Sequence, residues 1–292
     1  MRALLLLTLM STTHLSPAQT ALIDTLHAII RSQPEATVAV AVRDPVTTTE
    51  MSLRADTVFH AASTMKVPVM IEAYRRAAKG ELSLEHKLTV KNAFRSIVDG
   101  SPYSIEDDSD DAIYERLGED MTFRELIHQM MTVSSNLATN LLIDYLVADS
   151  IQRTVDRLGA PGMRVLRGVE DLKAYERRLN NRTTARALAT LLEHLRRGTA
   201  VSPAADSAMV STMLLSKFDE MIPAGLPADV RVANKTGWIT RIHHDAAIVL
   251  PPEDKAYVLV ILIRDVEDHA ASAALGARIA RAVHAALRPP TH

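Results

Sequence analysis

The first residues in the sequence whose types and spacing could do chemistry are Ser63-Thr64-Met65-Lys66. They follow Val58-Phe59-His60-Ala61-Ala62 at the predicted start of a helix, where backbone N–H groups are free and the helix dipole is positive. Because Lys66 lies three positions after Ser63, its amine rises on the same helical face as the hydroxyl. A poorly solvated lysine in such a place can lose its proton and activate a serine nucleophile. The motif alone arises by chance about once in a chain of this length.

Two further short motifs follow in the chain and give this pair its possible partners. Ser134-Ser135-Asn136 stands at a predicted turn between two helices, and Lys235-Thr236-Gly237 stands on a predicted strand. Each is common alone, but chance does not plausibly explain all three in this order at a helix start, a helix–helix turn and a strand. The sequence therefore predicts one site assembled from three distant parts of the chain.

The elements that must position these motifs follow from the spacing of apolar residues. The period indicates strands near both ends of the chain, at 37–43, 47–53, 230–238, 246–250 and 257–263. It indicates helices at 20–32, 63–79, 122–131, 136–146, 183–195 and 270–287, and Thr122 with Glu125 forms a capping box at the start of the third. The stretch 100–120 is rich in acidic residues and is expected to be a solvated surface loop. We expect an α+β fold in which the terminal segments form one antiparallel sheet flanked by the first and last helices. A central all-helical part lies beside that sheet.

The first 18 residues are predicted to be a signal peptide. Arg2 supplies a positive charge, the apolar run Ala3 to Met10 follows, and Ser16-Pro17-Ala18 offers small residues before a cut near Ala18. A buried N-terminal helix is the alternative, and the run is too short to span a bilayer. The catalytic domain would then be 19–292, with 19–60 and 225–292 forming the α/β part and 61–224 the helical part. We expect a bacterial periplasmic or secreted protein.

Composition excludes several classes of function. The 292 residues carry a net charge of −2 and no cysteine. A near-neutral chain has no electrostatic footprint for nucleic acid or an anionic membrane. Without cysteine there is no disulfide, thiol nucleophile, thiolate zinc site or iron–sulfur cluster. His243 and His244 are adjacent on a predicted strand and face opposite sides, so they cannot share one ion, and we expect no metal and no cofactor.

The three motifs resemble the set found in penicillin-binding proteins and class A β-lactamases. The resemblance to class A β-lactamases covers nearly the whole mature chain and includes the run from Val133 to Leu142. It implies a β-lactamase/transpeptidase-like fold, a small-molecule β-lactam substrate and a monomer. It also implies that Ser63 attacks the lactam carbonyl while the backbone N–H groups of Ser63 and Trp238 hold the oxyanion.

The same resemblance assigns roles to the other motif residues. Ser134 would pass a proton to the departing ring nitrogen. Lys235 and Thr236 would bind the substrate carboxylate by charge and hydrogen bond. Asn136 would hold the amide of the acyl side chain, and Gly237 would let the backbone approach the ligand.

A β-lactamase must also hydrolyse its acyl-enzyme, which requires a base that positions water. Glu170, in the irregular stretch 166–171, lies about as far after the second motif as the deacylating glutamate of class A enzymes. An unrelated surface glutamate is the alternative. The base that takes the Ser63 proton stays open between Glu170 and Lys66.

The sequence departs from the class A pattern at several positions. Ser135 replaces the usual aspartate of the second motif, and Gly168 and Ala174 stand where the loop usually has arginine and asparagine. The arginine that commonly supports the substrate carboxylate has no clear counterpart, although Arg241 and His243 are nearby in sequence. These differences put the rigidity of the loop and the substrate range in question.

Three hypotheses remain at this point. The first is a class A-like β-lactamase that hydrolyses its acyl-enzyme. The second is a penicillin-binding DD-peptidase, or another serine hydrolase of the same fold, in which Glu170 is idle. The third is a catalytically silent homologue that binds cell-wall peptide.

Overall fold

The structure is a computed structural model that describes residues 16–47, 49–252 and 254–289. Residues 1–15 of the predicted signal peptide lie outside the described residues. The predicted cleavage position, Ala18, lies in the first turn of the first described helix, for which the Ser16 side chain accepts a hydrogen bond from the Gln19 N–H. No helix within the described ranges is both long enough and apolar enough to cross a membrane.

The described residues form α-helices, β-strands and short 3-10 helices. The helices are α1 (Pro17–Ile30), α2 (Lys66–Ala78), α3 (Phe123–Thr132), α4 (Asn136–Leu146), α5 (Ala148–Arg157), α6 (Leu172–Glu176), α7 (Ala185–Arg197), α8 (Pro203–Met213) and α9 (His269–Leu287). The strands are β1 (Thr37–Asp44), β2 (Thr49–Leu53), β3 (Phe59–His60), β4 (Lys87–Thr89), β5 (Phe94–Arg95), β6 (Pro102–Tyr103), β7 (Asp120–Thr122), β8 (Arg182–Thr183), β9 (Arg231–Ile239), β10 (Ile242–Leu250) and β11 (Tyr257–Arg264). Short 3-10 helices cover Ala62–Met65, Asp111–Arg116 and Pro223–Gly225.

One five-stranded antiparallel sheet organises the molecule, in the order β2-β1-β11-β10-β9. The central strand β11 reads Tyr-Val-Leu-Val-Ile-Leu-Ile-Arg, and seven of its eight residues are buried. A strand that is apolar on both sides requires cover on both faces of the sheet. Alternate residues of β1 supply the two faces: Val38, Val40 and Val42 pack with α1 and α9, whereas Ala39 and Ala41 pack with the helical part. The predicted α+β fold is confirmed.

Helix α2 runs through the middle of the helical part. Its residues from Lys66 to Tyr74 are all buried, so it has no solvent-facing stripe over its first two turns. The buried carboxylate of Glu72 is compatible with this position because Arg75, Arg76 and the Thr154 hydroxyl all donate hydrogen bonds to it. The helix thus carries Lys66 into the interior, where the other helices surround it.

Several elements differ from the sequence-based predictions. Strand β10 begins at Ile242 rather than Ala246, because the polar residues His243, His244 and Asp245 are buried in the sheet. Helix α8 was not predicted, although Ser202 caps it and Pro203 opens it. The stretch 100–120, expected to be a loop, contains β6, a 3-10 helix and the first residue of β7. The capping box of Thr122 and Glu125 is present at the start of α3.

Candidate active site

Ser63 lies in the 3-10 helix that leads directly into α2, and the edge strand β9 packs against it. A Cβ added at Gly237 would stand 2.9 Å from the Ser63 nitrogen and 3.1 Å from the Thr64 nitrogen. Only glycine allows so close an approach of two backbones. The preceding residue, Ala62, has a φ of +45°, a conformation that a residue with a Cβ rarely adopts. The backbone before Ser63 is therefore strained, as is common at functional sites.

Lys66 is fully buried one helical turn after Ser63. Its Nζ donates to the backbone oxygen of Ser134, to Ser134 Oγ at 3.1 Å and to Asn136 Oδ1 at 2.9 Å. Burial, followed by the nearby charge of Lys235, lowers the pKa of Lys66 well below its ordinary value. A neutral amine at this position can accept a proton, which is the property that the sequence argument required of it.

Ser134 lies between two lysines. Its Oγ is 3.1 Å from Lys66 Nζ and 3.0 Å from Lys235 Nζ. Its φ is +61°, again a strained value for a residue other than glycine. The hydroxyl is therefore placed to exchange protons with either amine.

Lys235 is buried on β9 and faces the helical part. Its Nζ also donates to the Thr236 carbonyl at 2.9 Å and lies 5.6 Å from the centre of the Phe218 ring. Burial lowers its pKa to about 7, against the opposing influence of the Asp245 and Glu220 carboxylates. This lysine is consequently a cation whose charge is sensitive to pH near neutrality.

Asn136 connects the lysine pair to the loop that carries Glu170. Its Oδ1 accepts from Lys66, while its Nδ2 donates to Glu170 Oε1 at 2.7 Å and to the Asp107 carbonyl at 3.0 Å. Asp108 holds the start of α4 in place, because its two carboxylate oxygens accept the backbone N–H groups of Asn136 and Leu137 at 2.8 Å. Sequence reasoning missed Asp108 and treated the acidic stretch around it as a solvated surface.

Glu170 stands half-buried with its carboxylate turned towards the site. Besides Asn136, it accepts hydrogen bonds from the backbone N–H groups of Glu106 at 3.0 Å and Asp107 at 3.4 Å. Burial raises its pKa above the ordinary value despite these hydrogen bonds. Its φ is +59°, so the backbone is strained at this residue as it is at Ser134 and Ala62.

A clamp from α4 fixes the residue before Glu170. The side chain of Asn140 accepts from the Val169 N–H at 2.7 Å and donates to the Val169 carbonyl at 3.0 Å. A Cβ at Gly168 would meet Asn140 Oδ1 at 2.4 Å, so the clamp requires a glycine there. Sequence reasoning registered Gly168 only as a departure from the class A pattern and did not single out Asn140.

Hydrogen bonds between the Arg167 side chain and uncharged groups hold the rest of this loop together. The buried Arg167 side chain donates to the carbonyls of Leu179 and Gly168 and to Asn180 Oδ1. Asn181 Oδ1 in turn accepts the Arg167 N–H at 3.2 Å. The loop is therefore organised around one buried guanidinium that binds carbonyl and amide oxygens rather than a carboxylate.

A carboxyl group from another segment lies beside Ser135, the residue that replaces the usual aspartate of the second motif. Ser135 is buried and its hydroxyl caps α4 by accepting the Ala138 N–H at 3.2 Å. The buried carboxyl of Asp110 interacts with this hydroxyl, and burial raises the pKa of Asp110. The carboxyl absent from position 135 is thus present beside it, on a different segment.

Neither residue considered as a substitute for the usual arginine points into the site. The Arg241 side chain is exposed at the β9–β10 turn and donates to the Asp265 carbonyl at 3.3 Å. His243 lies on the face of the sheet that the terminal helices cover, where its Nδ1 is 2.9 Å from Ser272 Oγ. The cations that reach the site from the predicted set are therefore Lys66 and Lys235. The exposed Trp238 side chain instead packs edge-to-face against His269, at the start of α9.

Comparison with known proteins identifies the family. A profile for the family described as "Beta-lactamase enzyme family" matches residues 21–287. The chain belongs to this beta-lactamase family. Since the match extends over both parts of the fold, it includes all three motifs and the Glu170 loop.

Solved structures of the same fold include enzymes and penicillin-binding proteins. A beta-lactamase from Sphaerobacter thermophilus is 23% identical, with a TM-score of 0.79 and coverage of 93% of this chain and 98% of that chain. PBP-A is 24% identical, with a TM-score of 0.81 and coverage of 93% and 97%. A mutant of the class A beta-lactamase of the last common ancestor of Gram-negative bacteria is 26% identical, with a TM-score of 0.80 and coverage of 92% of this chain and 100% of that chain.

Proposed function

We propose that this protein is a serine β-lactamase that hydrolyses β-lactams through an acyl-enzyme on Ser63. The observation that carries the proposal is the continuous chain of hydrogen bonds from Lys235 through Ser134 and Lys66 to Asn136 and the Glu170 carboxylate. Such a chain supplies proton acceptors and donors for both halves of the reaction. A binding protein would have no need to bury two lysines with lowered pKa values at considerable cost.

Acylation requires removal of the Ser63 proton and protonation of the ring nitrogen. Lys66, whose pKa burial lowers, accepts the hydroxyl proton in its neutral form as the oxygen bonds to the lactam carbon. Backbone N–H groups at the junction of Ser63 with β9 stabilise the oxyanion. As the carbon–nitrogen bond breaks, Ser134 gives its proton to the nitrogen and recovers one from Lys66. Lys235 and Thr236 bind the carboxylate of the substrate meanwhile.

Deacylation is assigned to Glu170. Its carboxylate takes a proton from a water molecule as the oxygen of that water bonds to the ester carbon. The bond between this carbon and Ser63 Oγ then breaks, and Glu170 gives the proton to Oγ. The raised pKa of Glu170 favours proton acceptance near neutral pH. The Asn136 amide, 2.7 Å from Oε1, would orient both this carboxylate and the substrate side chain.

The second candidate function is that of a penicillin-binding protein, which β-lactams acylate but which does not hydrolyse the acyl-enzyme. Three protein donors already occupy the Glu170 carboxylate, which offers about four lone-pair sites. One site is left for water, so the structure also fits a glutamate that is mainly structural. A mutant of PBP-A has been solved as an acyl-enzyme complex with penicillin G.

Turnover of a chromogenic cephalosporin separates these functions. We expect steady hydrolysis by the wild type and none by Ser63→Ala. Glu170→Gln should give one rapid burst and then stall, with the covalent adduct on Ser63 detected by mass spectrometry. General-base loss of this kind slows a step by about 10²–10⁴-fold. Glu176→Gln, an exposed glutamate on α6, is the matched control and should turn over normally.

Two outcomes would contradict the proposal. A wild type that forms a stable adduct without turnover is a penicillin-binding protein, and a wild type that forms no adduct is a silent binding homologue. If Glu170→Gln turns over as fast as the control, the deacylating base is another residue.

Export and monomeric state stay predictions of the sequence. We propose that the signal segment is removed near Ala18 and that the protein acts outside the cytoplasm. The intact mass of the protein recovered from the periplasm or medium tests this, since an uncut N-terminus would contradict cleavage. Size-exclusion chromatography with light scattering tests the monomer.

A further inference from the structure

A cluster of two histidines and a glutamate lies on the far side of the sheet from Lys66. Glu220 precedes the last 3-10 helix, His243 is on β10 and His269 is the first residue of α9. One potential ligand atom from each lies within 4.8 Å of the others. His243 Nε2 is 3.5 Å and His269 Nε2 is 4.0 Å from the same oxygen, Glu220 Oε1. The two imidazole rings stack with their centres 4.3 Å apart.

The hydrogen bonds around His243 fix which of its nitrogens carries the proton. The Ser272 hydroxyl has one hydrogen, and it donates this hydrogen to the His269 carbonyl at 2.9 Å. The contact of 2.9 Å between His243 Nδ1 and the same hydroxyl oxygen therefore has Nδ1 as the donor. In the neutral ring Nε2 is then a bare lone pair.

That lone pair is buried and unsatisfied. The His243 side chain is only 2% exposed, and its Nε2 makes no hydrogen bond to any residue that the structure describes. It faces a carboxylate oxygen, so two electron-rich atoms oppose each other across 3.5 Å. Either a proton on Nε2 or a metal ion between the two groups would satisfy this contact.

We propose that Glu220, His243 and His269 bind a divalent metal ion of the zinc class. Two nitrogens and one carboxylate oxygen, with an open fourth position, are a common donor set for zinc in proteins. Zinc–nitrogen and zinc–oxygen bonds of about 2.0–2.2 Å in a tetrahedral arrangement hold their ligands about 3.4 Å apart. The spacings of 3.5 and 4.0 Å to Glu220 are close to this value, and all three atoms lie within 4.8 Å of one another. Because the two rings are nearly parallel, the exposed His269 ring must turn out of the stack for both nitrogens to face one ion.

The surroundings of the cluster fit such a site. The Nδ1–H of His243 donates to Ser272, which is the second hydrogen bond that orients a metal-bound imidazole. His269 is 44% exposed and Glu220 is 32% exposed, so an ion can enter from solvent and a water can fill the open position. Trp238 contacts the His269 ring edge-to-face with 5.2 Å between the ring centres. This places the only tryptophan of the chain as a reporter of the cluster.

Sequence reasoning expected no metal because it considered His243 and His244 together. Those residues do face opposite sides of the sheet, as expected, and His244 points to the His60 carbonyl instead. The partners of His243 come from segments more than 20 positions away on either side, and their proximity is a property of the fold.

The experiment uses tag-free full-length mature protein freed of metal with a chelator. Zn²⁺ is titrated in competition with a chromophoric chelator while Trp238 fluorescence is recorded. We expect one Zn²⁺ per chain and a fluorescence change that saturates with it. Ser272→Ala should weaken binding about 10–100-fold, because the hydrogen bond that orients the His243 ring is lost. His269→Ala and Glu220→Gln, which remove ligands, should weaken it further.

The control is His27→Ala, an exposed histidine on α1 that should leave zinc affinity unchanged. Because His243 is buried, the test relies on the exposed His269, and unfolding of each variant in chelator verifies that it folds. The proposal is overturned if the wild type binds no zinc at micromolar concentration, or if His269→Ala and Glu220→Gln bind it as tightly as the wild type. In either case a proton on His243 Nε2 would satisfy the contact with Glu220.

Discussion

The clamp between Asn140 and the Glu170 loop leads to a prediction about a single methyl group. Gly168→Ala adds a Cβ that would lie 2.4 Å from Asn140 Oδ1 and 2.9 Å from its Cγ. A real Cβ does not make contacts this short, so the Asn140 side chain, which is held by its hydrogen bonds to Val169, must move. The φ of Gly168 is not in the left-handed region. The effect of the substitution therefore comes from the clash and not from backbone strain.

The magnitude follows from the two hydrogen bonds that the clamp makes to Val169, at 2.7 and 3.0 Å. Each contributes about 0.5–1.5 kcal/mol, so their loss should lower the free energy of unfolding by about 1–3 kcal/mol. The next residue is Glu170, and a displacement of about 1 Å at a catalytic group can slow a step about 10²-fold. We expect acylation to be nearly normal and deacylation to be slowed by about this factor.

The assay is a double-mutant cycle with Asn140→Ala, measured by urea unfolding and by single-turnover deacylation of penicillin. Asn140→Ala removes the atoms that the methyl group added by Gly168→Ala would contact. The double variant should therefore be no worse than Asn140→Ala alone, with an interaction free energy of about 1–3 kcal/mol. If the two effects are simply additive, or if Gly168→Ala behaves as the wild type, the clamp does not position Glu170.

Three further predictions concern ionisable groups. Burial lowers the pKa of Lys235 to about 7, so kcat/KM for an anionic β-lactam should fall as pH rises through 7. Lys235→Arg should abolish that decline because arginine keeps its charge. Glu72→Ala leaves Arg75 and Arg76 without their buried partner, so it should lower the free energy of unfolding by about 3–5 kcal/mol. Urea unfolding measures this, and an unchanged midpoint would contradict it. Burial opposes ionisation of Asp44, but hydrogen bonds from Arg288 and Thr47 outweigh it and lower the pKa of Asp44 from 3.8 to about 2. Its stabilisation is therefore complete above about pH 4 and lost as pH falls towards 2, and Arg288→Ala should flatten that part of the stability curve measured by thermal unfolding.

The sequence was sufficient for features that depend on local pattern. The β-branched residues of β1, the apolar run of β11 and the capping box at Thr122 predicted elements that the structure contains. The three motifs, recognised by type and spacing, meet around Ser134.

Features that depend on distant contacts could not be predicted in this way. The Asp108 cap and the Asn140 clamp join segments about 30 positions apart, and neither residue type signals its partner in the sequence. Strand β10 starts earlier than its apolar run because Asn234 and the Ile222 N–H satisfy the buried Asp245. Polar residues can thus occupy a buried strand when their partners come from elsewhere, and an apolar pattern does not detect this.

The pairing of β1 with β11 also determines the order in which this molecule can fold. The Thr37 hydroxyl donates to Asp265, which lies 228 positions later in the chain. The middle of the sheet therefore cannot close until nearly the whole polypeptide has been synthesised, and closing so long a loop makes folding slow. Until then β1 and β2 have only an incomplete apolar layer to pack against, so the nascent chain stays unfolded and exposed to chaperones and proteases. The export that we propose would require an unfolded chain to pass through a narrow channel, and for such a chain that delay is an advantage.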